Sequence, residues 1–416
     1  MRLGDTAHPE RAQWGKPLDG IRVLAAEQMQ ALPFATQLLA HLGADVVKVE
    51  HPRHGESGRG AQPSLIDVDG REVGATYLRN NFSKRSVGID LKLPAGRELF
   101  RRLVPHFDVV GENFKAGTME RLGLGYEELA ALHPPLVYVS LSGFGNLDET
   151  PYRSWPAYAS IAEAMSGLYE SNRSDPDEPP VPLIAGAIGD ISTALFGVIG
   201  ILAALRHRDT TGLGQYVDIA MYDSMIAMAD LVPFMWSMGG KPPRAGGTGL
   251  GIIDGFRAQD GWFVIQVVRE PMFAKLAELI GHPEWVGDPR FATRQDWDAR
   301  KEPLVRPALE AWASTRTKLE ACAELCAAGV AAGPNNTASD LFVDAHVTAR
   351  NMLVEMPRPD ADRPMLVPGN PVKLSRVAEG PVRRFPALGE HTVEVLRAEL
   401  ELDDDELARL RAGGVI

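Results

Sequence analysis

The most chemically suggestive carboxylate in this sequence is Asp190, in the step PLIAGAIGDIST, because it directly precedes the long apolar stretch ISTALFGVIGILAALRHR. A carboxylate at a helix start sits among unpaired backbone N–H groups and the positive end of the helix dipole, which holds it ionised at neutral pH. An ionised carboxylate can act as a nucleophile, yet on spacing alone Asp190 reads first as a helix cap, since aspartate is among the favoured capping residues. The glycines Gly246, Gly247, Gly249 and Gly251 in PPRAGGTGLG supply backbone able to approach another group closely and donate N–H bonds to an oxyanion, or serve only as a flexible linker. Cys322 and Cys326 stand four apart in a helical stretch. With no second Cys or His pair at zinc spacing they read as small core residues, and no metal site is expected.

These groups need a scaffold, and the first fifty residues propose one. Ile21 to Ala26 (IRVLAA) suits a buried strand, Pro33 to Leu42 (PFATQLLAHL) a helix with Gly43 at its C-cap, and Asp45 to Glu50 (DVVKVE) a second strand. Strand, helix and strand in thirty residues form a βαβ unit, which implies a parallel sheet with a ligand crevice at the carboxyl ends of its strands. The turn after the first strand, EQMQALPF, lacks the three glycines that would admit a dinucleotide pyrophosphate, so NAD is not expected; it offers Gln28, Gln30 and Pro33 instead. The α/β alternation continues through SVGIDL, a helix from Pro94 to Leu103, FDVVGEN, a helix around Tyr126 to Leu132 and LVYVSLSGFG. The helix after Asp190 should stop at Thr210 to Gly214, before the strand QYVDIAM.

From about Leu231 glycine and proline become frequent, FRAQDGWFVIQVV reads as a hairpin around Asp260-Gly261, and short helices carry Trp285, Trp297 and Trp312. PMLVPGNPVKLS looks strand-like again, and DDDELARLRAGGVI is a closing helix with acidic residues at its start and Arg near its end, as the dipole prefers. The 416 residues exceed one ordinary core, and a formal charge of -12 argues against a broad nucleic-acid footprint, so basic residues facing any polyanionic ligand must be gathered locally. No apolar targeting region or membrane span is visible, and the scarcity of cysteine fits the cytoplasm.

Seven segments, PLDGIRVL, LGADVVKVEHP, NFSKRSVGIDLK, ENFKAGTMERLGL, LSGFG, TGLGQYVDIAMYD and LGEHTVEVL, follow one another in this order across nearly the whole chain. Together they resemble the CaiB/BaiF family, the class III CoA-transferases. The resemblance implies an α/β fold: a Rossmann-like parallel-sheet large domain built from both chain ends (residues 1–230 and 345–416), a smaller inserted α+β domain with its linker (231–344), and an interlocked homodimer. It implies transfer of CoA from an acyl-CoA to a small carboxylic acid through covalent intermediates on Asp190, with no cofactor beyond coenzyme A and no nucleic-acid or membrane partner.

The same resemblance assigns Gln30 a positioning role, Tyr158 and Tyr77 to the substrate pocket, and Gly246, Gly247 and Gly249 to a loop closing over the aspartate. It assigns CoA to Ala31, His51, Arg53, Ile89, Lys92, Asn113, Phe114 and Arg121, with Arg59, Lys84 and Arg85 adding positive charge. Two positions depart from the family pattern: Leu32 replaces a small residue next to proline, and His51 stands where relatives often carry a phosphate-binding Arg, a role Arg53 could take over. A related racemase would need a histidine where this chain reads Pro156-Ala157-Tyr158. The same motifs also admit an intramolecular CoA-transferase or a non-catalytic CoA-binding protein.

Overall fold

The computed structural model describes all residues except 68, 174, 176, 184, 185, 241–248 and 359. The chain forms two compact units, one comprising Met1–Ser166, Pro182–Ala229 and Ala345–Ile416, the other Gly167–Val181 and Asp230–Asp344.

In the first unit, β1 (Arg22–Ala26), β2 (Asp45–Glu50), β3 (Arg85–Gly88), β4 (Val109–Glu112), β5 (Val137–Ser142) and β6 (Tyr216–Ala220) form one sheet. Its order is β3-β2-β1-β4-β5-β6 and every neighbouring pair is parallel. That is the strand order of doubly wound nucleotide-binding folds: the chain winds outward from β1 to β3 and then returns beside β1 as β4, leaving a crevice between the two at their carboxyl ends.

Five helices matter for the site: α1 (Ala31–His41), α2 (Ala75–Asn80), α3 (Pro94–Leu103), α4 (Ala159–Met165) and α5 (Ile188–Thr211). Alternate residues of the strands feed opposite faces. Val23, Ala25, Val46, Val137 and Val139 pack with Leu32 and Leu39 of α1 and with Ala194, Ile201 and Leu205 of α5. Leu24, Val47, Val49 and Tyr138 pack with Leu99, Phe100 and Leu103 of α3 and with Val395, Leu396 and Leu407 near the C-terminus. With both faces covered the strands must be apolar on both sides, as their sequences are.

Two helix starts differ from the sequence expectation. Helix α1 begins at Ala31, two residues before Pro33, because proline is tolerated within a first turn where its missing N–H would be unpaired anyway. Helix α5 begins at Ile188, so Asp190 lies inside its first turn rather than capping it; the N-cap is Ala187, with φ 40°. The helix ends at Gly212 in the left-handed conformation, φ 76°. By length and composition alone α5 is the one helix among the described residues that could cross a membrane, a test that the core helix of a folded domain also passes. Its Ala194, Ile201, Ala204 and Leu205 are buried in the sheet core, while Leu195, Ile199 and Leu202 stay exposed.

The second unit has its own core. Strands Ile252–Arg257 and Trp262–Val267 form the antiparallel hairpin turning at Asp260-Gly261, and Ala331–Pro334 pairs antiparallel with the second of them. Phe256, Phe263, Trp285, Trp297 and Leu325 are buried together with Cys322, and Trp297 stacks on Phe273 at 4.5 Å between ring centroids.

Candidate active site

A cavity of about 230 Å³ lies at the carboxyl ends of the strands in the first unit. Gln28 to Ala31 after β1, Asn113 to Ala116 after β4, Leu141 to Gly143 at the end of β5 and Met221 after β6 contribute to its wall. Asp190 and the segment around Tyr158 complete it. Gly143 has to be glycine here: a Cβ would come within 2.4 Å of the Ala157 Cβ and push that segment away. The segment is braced by aromatic rings, with Tyr152 and Trp155 4.6 Å apart and Phe144 5.6 Å from Tyr152.

Among the described residues, Asp190 is the one carboxylate lining this cavity. The first turn of α5 carries unpaired N–H groups, and Glu163 on α4 reaches one of them: its Oε1 accepts from the Gly189 N–H at 2.9 Å. Gly189 itself sits so close to α4 that a Cβ would lie 2.9 Å from the Ala159 Cα. Asp190 is thereby left with no side-chain hydrogen bond among the described residues. Burial, reinforced by repulsion from Glu163 and opposed by attraction to Arg79, pushes its carboxyl up to about 6. The sequence-based expectation that the dipole governs this group is corrected in its cause: desolvation outweighs the helix end. At pH 7 about nine-tenths of such a group is still ionised, and poor solvation makes it a better nucleophile than a surface aspartate.

Gln30, buried at the N-cap of α1, accepts a 2.6 Å hydrogen bond on Oε1 from Nη2 of Arg79 on α2. Guanidinium only donates, so this contact fixes the amide orientation and leaves Nε2 as a donor turned away from Arg79. Across the crevice a second cavity of about 390 Å³ is lined by His51, Ile89, Lys92 and Phe114, together with Val49 and Leu122. Gln28 and Phe114 line both cavities. Their shared wall is locked by a reciprocal pair: the Gln28 N–H donates to Asn113 Oδ1 and Asn113 Nδ2 donates to the Gln28 carbonyl, each at 2.9 Å.

The crevice lies at the carboxyl ends of a parallel sheet, as the α/β reading expected, and comparison with known proteins decides the family. The family model for CoA-transferase family III matches residues 18–392. The chain belongs to the family III CoA-transferases. It is 38% identical over 385 residues to the succinyl-CoA:mesaconate CoA-transferase of Haloarcula hispanica, covering 91% of this chain and 95% of that one. It is 36% identical over 431 residues to the formyl-CoA:oxalate CoA-transferase of Streptomyces avermitilis, covering 96% of this chain and 100% of the other. Among solved structures, a CaiB/BaiF family protein from Brucella suis matches with TM-score 0.79 at 36% identity, covering 92% and 99% of the two chains.

Within this family III CoA-transferase the residues expected at the site divide clearly. Asp190, Gln30, Ala31, Asn113, Phe114 and Tyr158 line the first cavity, and His51, Ile89 and Lys92 join Phe114 in the second. Tyr158 is 70% exposed and Lys92 carries no ion pair or hydrogen bond from its Nζ among the described residues. Nδ1 of His51 accepts from the backbone N–H groups of Arg53 and His54, which places the ring proton on Nε2, 3.6 Å from Asp90. Arg53 and Arg121 are exposed and line neither cavity, though each is tied to a residue of the second: Arg53 through that His51 contact and Arg121 by donating to Thr118 Oγ1 at 3.0 Å. Gly246 and Gly247 lie outside the described residues. Gly249 belongs to the second unit, where its N–H donates to Asp298 at 2.8 Å.

Four expected residues go elsewhere. Tyr77 is fully buried; its hydroxyl donates to the Pro386 carbonyl at 3.1 Å and accepts from Arg59 at 2.6 Å, so it is core rather than pocket. Arg59 spends its guanidinium on Glu50, at 2.7 and 2.8 Å. Lys84 donates to Glu27 at 2.7 Å, to the Pro33 carbonyl and to Asn81, and Arg85 pairs with Asp45 at 2.5 Å. Glu50 and Asp45 belong to β2 and Glu27 follows β1; for the buried Arg59 and Lys84 an unpaired charge would cost several kcal/mol. Lys84 is held down to about 8 by burial.

The sequence reading missed Glu163, Arg79 and Glu112. Glu112 ends β4, and its Oε2 accepts the Phe114 N–H at 2.8 Å, fixing the wall between the cavities, while burial pushes its carboxyl up to about 7. The only signal available was position: Glu112 directly precedes the Asn113-Phe114 step.

Proposed function

We propose that this CoA-transferase moves CoA from an acyl-CoA donor to a small carboxylic acid through covalent intermediates on Asp190. The Asp190 carboxylate attacks the donor thioester carbonyl; the C–S bond breaks, CoA thiolate leaves, and an acyl–aspartyl anhydride forms. The thiolate then attacks the aspartyl carbonyl, releasing the donor acid as a carboxylate and leaving an aspartyl-CoA thioester. The acceptor carboxylate attacks this thioester and expels the thiolate again, which takes the acceptor acyl group and frees Asp190. No thioester energy is lost to water. Each tetrahedral step develops an oxyanion, for which the Gln30 Nε2 donor is the candidate stabiliser.

The observation that carries this reading is the pairing of one desolvated carboxylate, Asp190, with an oriented amide donor in a cavity that shares a wall with a second one large enough for a pantetheine arm. Lys92 and the nearby Arg53 and Arg121 are the candidate phosphate partners there. A racemase finds no support, because no histidine among the described residues lines the Asp190 cavity. Relatives named for succinyl-CoA, mesaconate and oxalate favour a short dicarboxylate such as succinate on one side of the exchange. Leu195, Ile199 and Leu202, exposed along one stripe of α5, support a homodimer. We place the enzyme in the cytoplasm with coenzyme A as its sole carrier.

The test is incubation of the protein with succinyl-CoA and a panel of carboxylic acids, read by mass spectrometry. New acyl-CoA appearing without hydrolysis is expected. Deuterium entering an α-carbon without transfer would overturn the reading in favour of a racemase.

A further inference from the structure

Behind the Gln30 side chain lies another cavity, about 470 Å³, whose wall includes Phe34 and Leu38 of α1, Arg79, Ala187 and Ile191 at the start of α5, and Met352. Among the described residues it shares a single lining residue, Gln30, with the Asp190 cavity and none with the chamber carrying Lys92. Arg79 is exposed, and Gln30 Oε1 is the only acceptor its guanidinium engages among the described residues. A neutral amide oxygen satisfies one of five donors, and Asp190, whose charge attracts Arg79, makes no hydrogen bond to it among the described residues. Further along the same cavity, His41 presents two buried ring nitrogens without hydrogen-bond partners among the described residues. An apolar chamber with a cation at its mouth and an unpartnered imidazole in its wall is built for a short anionic organic molecule rather than for a phosphate, which would need several donors converging on one point.

We propose that this cavity is the subsite for the acid that receives CoA, and that Arg79 binds the distal carboxylate of a dicarboxylic acid whose other carboxylate reaches the Gln30 amide. The proposal rests on the transferase reading above, dicarboxylate included, and adds the cavity that holds the acceptor and its anchoring residue. The Gln30 side chain then forms the hinge between the two ends of the acceptor: Oε1 is held by Arg79 and Nε2 is free for the reacting carboxylate. A monocarboxylate of the same length would fill the apolar part of the chamber and leave the guanidinium unpaired.

The experiment uses succinyl-CoA as donor and compares glutarate with pentanoate as acceptors. In a double-displacement scheme kcat/KM for the acceptor contains only steps after CoA is on the enzyme, so effects on the donor cancel in the ratio. Wild type should prefer glutarate, and Arg79→Met should cut the glutarate-to-pentanoate ratio of kcat/KM roughly ten- to hundred-fold, the worth of a charge-assisted pair. Arg79→Lys, which keeps the charge, should restore most of the ratio. Equal losses for both acids in Arg79→Met would overturn the subsite and reduce Arg79 to a positioning residue for Gln30. Absence of transfer to any acid by the wild type would sink the transferase reading and the subsite together.

Discussion

Replacing Asp190 with asparagine should abolish turnover and at the same time stabilise the fold. The carboxyl stands at about 6 in the folded chain against 3.8 for an ordinary aspartate, chiefly because it is buried. A folded value above the unfolded one means the native state binds the proton more tightly. Stability is therefore gained as pH falls through about 6 and lost in full above it, where roughly 3 kcal/mol is spent holding the group ionised at about 1.36 kcal/mol per pKa unit. The asparagine side chain has no proton to lose. The advantage of Asp190→Asn should be about 3 kcal/mol at pH 8 and fall to about 0.6 kcal/mol at pH 4. Spread over the roughly 290 residues of the first unit, whose unfolding entropy is about 0.6 kcal/mol/K, this amounts to a Tm about 5 °C higher at pH 8. Calorimetry of both proteins from pH 8 down to pH 4.5 measures it. A Tm gap that does not shrink with acid, or an Asp190→Asn protein less stable than wild type at pH 8, would refute the claim that Asp190 is desolvated.

Other consequences follow from neighbouring contacts. Glu163→Gln keeps an acceptor for the Gly189 N–H and removes a negative charge beside Asp190, so the acid limb of the acylation pH profile should move down by about one pH unit; an unmoved limb would count against the repulsion. Lys84→Met strips Glu27 of its 2.7 Å partner and leaves Lys48 at 3.5 Å, which should cost about 3 kcal/mol or more in urea unfolding. A loss below about 1 kcal/mol would show the pair to be dispensable. Gly189→Ala drives a Cβ to 2.9 Å from the Ala159 Cα and 3.0 Å from its carbonyl oxygen, so α4 or the start of α5 must shift. A folded protein with kcat reduced at least about tenfold is expected, and unchanged kcat would contradict it.

Much of the sheet was legible because its strands declare themselves. Asp45–Glu50 and Pro94–Leu103 have the bounds read from the sequence, the first as an apolar run between charged ends and the second as a helix opened by proline at its first position. The missing glycines after β1 correctly turned attention to Gln30, which does line the crevice. The cations were not legible. Lys84 and Arg59 look in sequence like phosphate ligands, and what removes them from the surface is a carboxylate at the carboxyl edge of the sheet: Glu27, 57 residues from Lys84, and Glu50 at the end of β2. The same holds for Glu163, which precedes Asp190 on a different helix, and for Arg79, whose importance arises only when α2 is laid against the start of α1. Motif order could point to Asp190 but could not say that burial rather than the helix end sets its acidity.

The most direct measurement is a rapid quench of the protein with succinyl-CoA in the absence of acceptor, followed by proteolysis and mass spectrometry of the peptide containing Asp190. The account predicts that this peptide carries CoA in thioester linkage, or its hydroxamate after hydroxylamine, and that Asp190→Ala carries neither. An adduct on any other residue, or wild-type transfer with no adduct at all, would contradict it.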